Sequence, residues 1–510
     1  MNRRLDVLFV NPNSSKRVYQ DLSKDYAAIE TPTWSLLLAQ SCRAIGYGVA
    51  ILDCDAERLQ PEAATKRIAE LNPRLVCFVV YGQNPSSGTT NMTGAVELAD
   101  SLKAAHPEYP IAFVGSHMSA LPREVLTMHS SIDIVLVGEG VYALHSLLAS
   151  NLGDDLAKIN GIGWRNQGEI VLNAPERIVP QERMDIDMPG YAWDLLPYRN
   201  KPFDMYRAHL WHADFQDQYK TPFAALYTSL GCRFKCDFCM INIVNRTDYA
   251  EGVSSNQSSM MRYWSPELML KEFDKLQAHG VNTVRLVDEM FFLDKRYYEP
   301  LLKGLAERGY GDKLRMWSYS RIDTVRKEHL EMFRKAGMRW FCFGIEAASQ
   351  VIRREVTKGS FQEVNVRKVV QEVRDADISV IANFMFGLPE DTLETMQQTL
   401  ELGLDMNTEM WNGYACMALP GSPLYYDALK AGMKMPDSYA GYGFLSYDCQ
   451  PMATKYLSAA DIMRFRDAAF DKYFSHQPYL DLVMKKFGQN AIDNINGLKA
   501  VKLKRKILGD

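Results

Sequence analysis

Short apolar runs alternate with helical patterns over residues 1–150. The runs LDVLFV, RLVCFVVYG, IAFVGS and IDIVLVGEG predict strands, and helices are predicted near 61–71, over 94–105 and near 121–128. After the first run, TPTWSLLLAQSCRAIGYGVAILDCDAE predicts a helix, a glycine turn and a further strand. Short β-rich runs that alternate with helices predict an α/β domain built on a parallel, doubly wound sheet.

Three loops at the predicted strand ends are rich in Gly, Ser and Asn: NPNSS, YGQNPSSGTTN and GSHMS. Ligands of doubly wound sheets bind at the carboxyl ends of the strands, and small residues let a ligand lie close to the backbone. No GxGxxG follows the first strand, which disfavours a nicotinamide dinucleotide. The domain at 1–150 is therefore predicted to bind a nucleotide or another cofactor.

The pattern changes after residue 150. Residues 151–220 contain a strand pair, prolines and acidic turns, and we interpret them as a connector between domains. From 221 to 430, strand runs with their loops alternate with helical stretches, which predicts a (βα) barrel with its site at the carboxyl ends of the strands. Residues 431–510 are predicted to be helical and to cap the barrel.

Composition narrows the class of protein. The chain has 510 residues, of which 47% are hydrophobic and 24% charged, so it can bury several cores. No apolar run is long enough for a signal-peptide core or a membrane span, which predicts a cytoplasmic protein. The net charge of −4 predicts no nucleic-acid partner, and the basic tail KAVKLKRKILGD is interpreted as a solvated helix face.

The nine cysteines fall into two groups. Six are scattered singly, as is typical of reduced, buried thiols. The other three, Cys232, Cys236 and Cys239, form a CxxxCxxC directly after the predicted strand FAALYTSL. Three thiolates can hold three corners of an iron–sulfur cubane and leave its fourth iron open, whereas a structural zinc ion or a ferredoxin cluster would take a fourth ligand. Chance clustering of buried thiols is the alternative.

The stretch CRFKCDFC resembles the cluster loop of the radical S-adenosylmethionine (SAM) enzymes. The resemblance continues in order through VRLVDEMFF, SYSRIDTV, FCFGIEAAS, FMFGLPEDTLETMQQTL and ALPGSPLY. It implies a partial (β/α)6 barrel and a [4Fe–4S] cluster on the three cysteines. It also implies that the open iron binds the amino and carboxylate groups of SAM, which is cleaved to a 5'-deoxyadenosyl radical.

The first domain resembles the Rossmann-like cobalamin-binding domain that precedes the barrel in one large subgroup of these enzymes. FVGSHMSALPREVL, IDIVLVGEGVYALHSLL and the connector GIGWRNQGEIVLNAPERIV carry the resemblance. NPNSS stands where many cobalamin domains have DxHxxG, so no histidine there ligates cobalt, and His117 is interpreted as structural. The resemblance places the cobalamin contacts at Tyr81, Gly82, Gln83, Gly115, Ser116, Gly138 and Glu139.

Candidate SAM contacts stand at the ends of the second, third and fourth barrel strands, and the resemblance places the last of them, Glu346, on SAM. The candidates are Asp288, Ser320, Arg321 and Glu346. An acidic residue at a strand end is also a common feature of a following helix, and a surface ion pair is the alternative for Arg321. Glu346 ends an apolar strand, where an unpaired carboxylate is costly.

Together these features predict a cobalamin-dependent radical SAM enzyme that methylates an unactivated carbon of a small molecule or peptide. An electron donor such as flavodoxin or ferredoxin is an expected partner. A cyclisation or rearrangement without methyl transfer is the first alternative, and a non-catalytic cobalamin or iron–sulfur sensor is the second. Because methyl donor and radical must reach one substrate atom, the carboxyl edge of the first sheet is expected to face the barrel mouth across a shared cavity.

Overall fold

The computed structural model describes residues 5–510 except 83–84, 151, 153–154, 198–199, 247–250, 358–360 and 362. Its strands are β1 (Val7–Asn11), β2 (Val49–Asp53), β3 (Leu75–Val80), β4 (Ile111–Gly115), β5 (Ile134–Leu136), β6 (Ile162–Asn166), β7 (Glu169–Leu172), β8 (Phe223–Leu226), β9 (Ser229–Gly231), β10 (Met261–Tyr263), β11 (Thr283–Leu286), β12 (Arg315–Arg321), β13 (Met338–Glu346), β14 (Ser379–Phe386) and β15 (Met410–Ala415).

Its α-helices are α1 (Ser15–Tyr19), α2 (Leu22–Asp25), α3 (Thr33–Ala44), α4 (Pro61–Leu71), α5 (Gly88–Ala105), α6 (Ser116–Ala120), α7 (Pro122–Met128), α8 (Val141–Ala149), α9 (Met184–Asp187), α10 (Pro266–Ala278), α11 (Lys295–Glu307), α12 (Leu330–Lys335), α13 (Gln350–Val356), α14 (Val366–Asp375), α15 (Leu393–Met406), α16 (Pro423–Lys430), α17 (Ala459–Phe474), α18 (Gln477–Phe487) and α19 (Gln489–Ala500). Among the described residues, no helix is both long enough and apolar enough to cross a membrane.

The first sheet has the order β2-β1-β3-β4-β5-β6-β7, and its first five strands are parallel. This confirms the predicted doubly wound domain, with the switch point between β1 and β3. The predicted connector differs from expectation, because its strand pair β6 and β7 adds to the sheet in antiparallel fashion beside β5. The added pair covers the backbone groups that β5 would otherwise expose as an edge strand.

Helix α5 begins at Gly88, six residues before the predicted start at 94. The sequence SSGTTN looks like a loop because its residues are small and polar. In the structure, close packing of the helix requires small residues. A Cβ on Gly88 would collide with Ser116, and one on Gly94 would collide with the carbonyl of Asn13. The first turn of α5 therefore lies tightly against the loops that follow β1 and β4.

The second sheet contains six parallel strands in the order β8-β11-β12-β13-β14-β15. It is open between β8 and β15, which confirms the partial barrel. The N-terminal domain covers one edge, because the Thr31 hydroxyl donates to the carbonyl of Ala225 (2.9 Å) and accepts from its N–H (3.0 Å). At the other edge, Tyr473 of α17 stacks on Trp411 of β15. The C-terminal helices thus cover the open barrel, as predicted.

Candidate functional site

The cysteine loop follows β8 and β9 and is held by side chains outside the motif. Gly231 has a φ of 90°, and a Cβ there would collide with the Met260 carbonyl and the Asn245 amide. Asn242 is buried, accepts a hydrogen bond from the N–H of Cys232 (3.0 Å) and donates one to its carbonyl (2.9 Å). Packing therefore requires the glycine, while Asn242 fixes the first cysteine. No motif in the sequence pointed to Asn242.

The thiols of Cys232, Cys236 and Cys239 lie within electrostatic range of one another, and all three are free of disulfides. Burial raises the pKa of Cys232 and of Cys236 to about 12, so only a nearby positive charge, such as that of bound metal, would favour the thiolates. In the described part of the chain, no three His, Cys, Asp or Glu side chains gather closely enough to hold one metal ion. Three thiols on one loop are a suitable ligand set for a cubane, in which each binds a different iron.

Glu346 lies at the end of β13, where the pairing of β13 with β14 shifts register. Its φ is 66°, a conformation that is uncommon outside glycine and is found preferentially at functional sites. Loss of solvation raises the pKa of its carboxyl to about 7, and the charges of Arg321 and Arg353 act in the opposite direction. A strained strand end that holds a poorly solvated carboxylate fits a site for a cationic ligand group.

Arg321 and Ser320 lie at the end of β12, the neighbouring strand. Arg321 is buried, and its Nε donates to Asp323 (2.9 Å). Its guanidinium lies 3.5 Å from the ring centroid of Phe234, which belongs to the cysteine loop. The Ser320 hydroxyl lies 2.7 Å from that of Thr324. Arg321 therefore joins this strand end to the cysteine loop, while Ser320 is bonded within its own turn.

Asp288 and Glu289, which follow β11, differ in their surroundings. Asp288 is fully buried and accepts hydrogen bonds from the N–H and hydroxyl of Thr228 and from the hydroxyl of Ser229 (2.9, 2.7 and 2.5 Å). These bonds fix the chain that leads into the cysteine loop. Among the described residues, Glu289 Oε1 is buried without a hydrogen-bond partner, and burial raises the pKa of Glu289 to about 8. Of this acidic pair, Glu289 is the one left to meet a ligand.

The predicted cobalamin contacts lie at the carboxyl edge of the first sheet, except that Gln83 is outside the described residues. Tyr81 follows β3, stacks on Trp34 at 4.4 Å and donates a hydrogen bond to the carbonyl of Gly138 (3.2 Å). Gly82 lines a cavity of about 60 Å³ together with residues of the loop after β1, such as Asn11 and Ser14. This cavity lies at the switch point, where ligands of such sheets bind.

The other predicted contacts are packed against protein groups. A Cβ on Gly115 would collide with the carbonyl of Val80, so β3 and β4 approach closely there. Ser116 is fully buried beside Gly88. The Glu139 carboxylate is buried 2.8 Å from the guanidinium of Arg262 in β10, and this ion pair ties the first domain to the barrel.

His117 is buried, and its Nδ1 lies 3.0 Å from the Thr89 hydroxyl. Burial lowers the pKa of His117 to about 3, so the imidazole is neutral at physiological pH. Its ring packs edge to face on Tyr439, with the ring centroids 5.1 Å apart. These contacts agree with the interpretation of His117 as a structural residue.

The two carboxyl edges face each other, as predicted. Trp34 of α3 packs on Tyr81 of the first domain and on Tyr227 of the barrel, and with Tyr227 and Glu289 it lines a small cavity beside the cysteine loop. Helix α6, which contains most of GSHMS, packs against residues Ile241–Val244, which directly follow that loop. Trp34 was not anticipated, because a tryptophan in an apolar helix gives no signal of an interface.

A further cavity, of about 360 Å³, lies inside the barrel between the first domain and the C-terminal helices. Tyr19 and Ser87 line both this cavity and the smaller one at the switch point. Inside the barrel, Arg285 forms an ion pair with Glu30 of the first domain (2.5 Å) and lies over the ring of Trp317. The cavities at the sheet edge and in the barrel are thus adjacent and share part of their walls.

Two family models match the chain. The model described as "B12 binding domain" matches residues 22–148, and the model described as "Radical SAM superfamily" matches residues 226–403. The first model begins after β1 and covers strands β2 to β5 of the parallel sheet. The second covers the cysteine loop and the strand ends with Asp288, Arg321 and Glu346.

Curated relatives align over most of the chain. An anaerobic magnesium-protoporphyrin IX monomethyl ester cyclase of Cereibacter sphaeroides is 24% identical over 88% of this chain and 67% of its own length. A cytidylyl-2-hydroxyethylphosphonate methyltransferase of Streptomyces wedmorensis is 21% identical over 84% of this chain and 83% of its own. Among solved structures, the radical SAM methyltransferase TsrM of Kitasatospora setae, with tryptophan and a SAM analogue bound, has a TM-score of 0.65 at 16% identity. That alignment covers 99% of this chain and 97% of TsrM, so the whole fold is shared.

Proposed function

Because this chain belongs to the cobalamin-dependent radical SAM enzymes, we propose that it transfers a methyl group to an unactivated carbon of a small molecule. When bound, the cofactors supply the chemistry: the cluster and SAM provide a 5'-deoxyadenosyl radical, and cobalamin provides the methyl group. Such a carbon has no lone pair with which to attack a sulfonium, so cofactors must provide this reactivity. The chain's own residues bind, orient and enclose the reactants.

The observation that carries the proposal is the junction of the two carboxyl edges. Trp34 lies between Tyr81 and Tyr227, so the predicted cobalamin edge and the strand that leads to the cysteines are separated by one indole ring. Methyl transfer requires reacting atoms to approach within roughly 3 to 3.5 Å. A sensor would need no such shared enclosure for two reactive groups.

The proposed roles of individual residues follow from their positions. Cys232, Cys236 and Cys239 hold the cluster. Glu346 and Glu289, whose carboxyl groups are poorly solvated, are assigned to the cationic amino group or the hydroxyls of SAM. Asp288 positions the cysteine loop through Thr228 and Ser229.

We further propose that an acidic one-electron carrier, such as a flavodoxin or a ferredoxin, reduces the cluster. Arg233 and Lys235 stand between the first two cysteines, and both are exposed. They form a basic surface directly over the cluster site on a chain whose net charge is −4. Such a surface attracts an acidic partner and speeds its encounter. With a net charge of −4, the chain as a whole has no comparable electrostatic attraction for nucleic acid.

The test uses SAM with a trideuterated methyl group. The reconstituted enzyme is incubated anaerobically with a metabolite extract, and the products are compared by mass spectrometry. A product that carries the intact trideuteromethyl group supports the proposal. A cyclised or rearranged product that carries no label would overturn methyl transfer and identify the enzyme as a cyclase, which is the activity named for the relative from Cereibacter sphaeroides.

A further inference from the structure

The cavity inside the barrel has walls from three parts of the chain. Tyr19 and Tyr26 come from the first domain, Trp317 and Tyr319 from β12, and a longer set from the C-terminal region. The C-terminal set includes Phe444, Phe470, Phe474, Leu498 and Val501. Most of these side chains are apolar and many are aromatic, so a ligand body that fits here is apolar and can stack on rings.

The inner end of the cavity is polar but has little net charge. Arg285 lies there over the rings of Trp317 and Tyr319, and its charge is balanced by Glu30 at 2.5 Å. Asn412 lines the same end and donates to the side chain of Asn383 (2.9 Å). This end offers hydrogen bonds to a ligand and has no unbalanced charge to attract an ionic group.

The outer end of the cavity is basic. Lys499 and Lys502 line it. Both belong to the basic tail KAVKLKRKILGD, which we predict from its sequence to be a solvated helix face. Lys499 Nζ lies 2.6 Å from the neutral Ser475 hydroxyl, and within the described residues Lys499 forms no ion pair. Lys502 lies 3.4 Å from Asp471. The mouth therefore has a positive charge that protein groups leave partly uncompensated.

The tail is held against the first domain, so its lysines have a defined place. Gln20 donates a hydrogen bond to the carbonyl of Lys504 (3.1 Å) and accepts one from its N–H (3.1 Å). Helix α19 approaches so closely that a Cβ on Gly497 would collide with the Tyr26 hydroxyl. A merely solvated helix face would need neither contact.

We propose that this cavity binds the substrate, and that the substrate is amphipathic, with a ring-containing or branched apolar body and one anionic head group, a carboxylate or a phosphate. The body lies among the aromatic rings of the barrel and the C-terminal helices, and the head group lies at Lys499 and Lys502. This assignment rests on the proposed function, because it names the substrate class of the same enzyme.

The test measures binding by equilibrium dialysis of the holoenzyme, reconstituted with cluster and cobalamin. The two probes share an apolar skeleton: anilinonaphthalene sulfonate has an anionic head group, and N-phenylnaphthylamine has none. In the double variant Lys499→Gln/Lys502→Gln, the anionic probe should bind roughly three- to thirtyfold more weakly, since two exposed charge contacts are lost. Binding of the neutral probe should not change. Lys472→Gln, an exposed lysine of α17 outside the cavity wall, is the matched control.

A second variant tests the cavity itself. Leu498→Trp fills the mouth with a larger apolar side chain and should abolish binding of both probes while cobalamin and iron contents stay unchanged. The proposal is overturned if neither probe binds the wild type, if the lysine variant weakens both probes equally, or if it lowers the cobalamin content, which would assign the lysines to the cofactor's phosphate. Probe binding requires no SAM cleavage, so failure here is distinct from failure of the methyl-label experiment.

Discussion

At the scale of single residues, the first prediction concerns the three cysteines of the loop. Replacing Cys232, Cys236 or Cys239 with Ala should reduce the iron content of the reconstituted protein well below four per chain and abolish formation of 5'-deoxyadenosine, because a cubane then keeps only two protein ligands. Iron analysis and chromatography of the nucleoside measure both effects. Cys54→Ala and Cys342→Ala, which alter buried thiols away from the loop, should retain the cluster. Equal loss of iron in Cys342→Ala would contradict the assignment.

Glu346 supports a second expectation at this scale. Glu346→Gln should weaken SAM binding by roughly tenfold or more, because a poorly solvated carboxylate interacts strongly with a cation. Equilibrium dialysis with labelled SAM measures the effect, and the iron content should stay at the wild-type level. Glu363→Gln, at an exposed glutamate, is the control. Unchanged SAM affinity in Glu346→Gln would remove this residue from the site.

Local spacing made these residues predictable. The cysteines lie within eight positions of one another, and Glu346 stands at the end of an apolar run. Asn242 was not predictable, because its two hydrogen bonds to Cys232 depend on how the loop turns back after the motif. Among the described residues, Glu289 Oε1 is buried without a hydrogen-bond partner because of how the chain packs. This was not predictable, since the sequence presents Asp288 and Glu289 as an equivalent pair.

At the scale of structural elements, the proposed docking of an acidic electron carrier on the cysteine loop supports a prediction. Arg233→Glu combined with Lys235→Glu should slow reduction of the cluster by flavodoxin by about tenfold or more at low salt, because like charges then face each other. Stopped-flow absorbance measures the rate. Reduction by dithionite, a small reagent that needs no docking surface, should be unchanged, as should the flavodoxin rate of Lys66→Glu on α4. Equal slowing with both reductants would indicate damage to the loop.

The end of β2 supports a prediction about pH. The Asp53 carboxyl accepts hydrogen bonds from Asn11 (2.7 Å) and from Tyr206 of the connector (2.9 Å), and burial raises the pKa of Asp53 to about 7. Because the folded pKa lies above the unfolded one, this group's stabilising effect is complete below about pH 4 and is lost as the pH rises to about 7. Asp53→Asn should remove this loss, worth a few kcal/mol at about 1.4 kcal/mol per pKa unit.

Urea unfolding of the wild type and of Asp53→Asn across this pH range measures the effect. The variant's stability should fall less steeply with pH, while Asp25→Asn, at an exposed position, should follow the wild type. Equal pH dependence of stability in the wild type and Asp53→Asn between about pH 4 and 7 would contradict the raised pKa.

The pattern of apolar runs predicted most elements, and the main differences have physical causes. Strands β6 and β7 were recognised as a pair, but their addition to β5 depends on an edge that forms only when the sheet is assembled. Helix α5 was predicted too short because the small residues that pack it against Ser116 look like a loop. At the start of α5, close packing requires glycine, although glycine weakens the helical pattern in the sequence.

At the scale of the whole molecule, the sequence predicted that the two carboxyl edges would meet but could not supply the residues that join them. Glu30 and Arg285 form a buried ion pair across 255 positions of sequence, and Gln20 reaches the tail across 484. Neither contact can be predicted from a local sequence pattern, because its partners lie far apart in the sequence. The expectation of a shared cavity came instead from the chemistry, because a methyl donor and a radical must address one atom.

The most direct test of the account is a crystal structure of the enzyme prepared without oxygen, with cluster, SAM and cobalamin bound, and with anomalous scattering recorded at the iron and cobalt edges. We expect an iron peak at Cys232, Cys236 and Cys239 and a cobalt peak at the edge where Asn11–Ser15, Gly82 and Ser87 lie. Both should border one enclosed space, with no histidine bound to cobalt. A cobalt peak at His117, or cofactors in separate compartments, would contradict direct methyl transfer in a shared cavity.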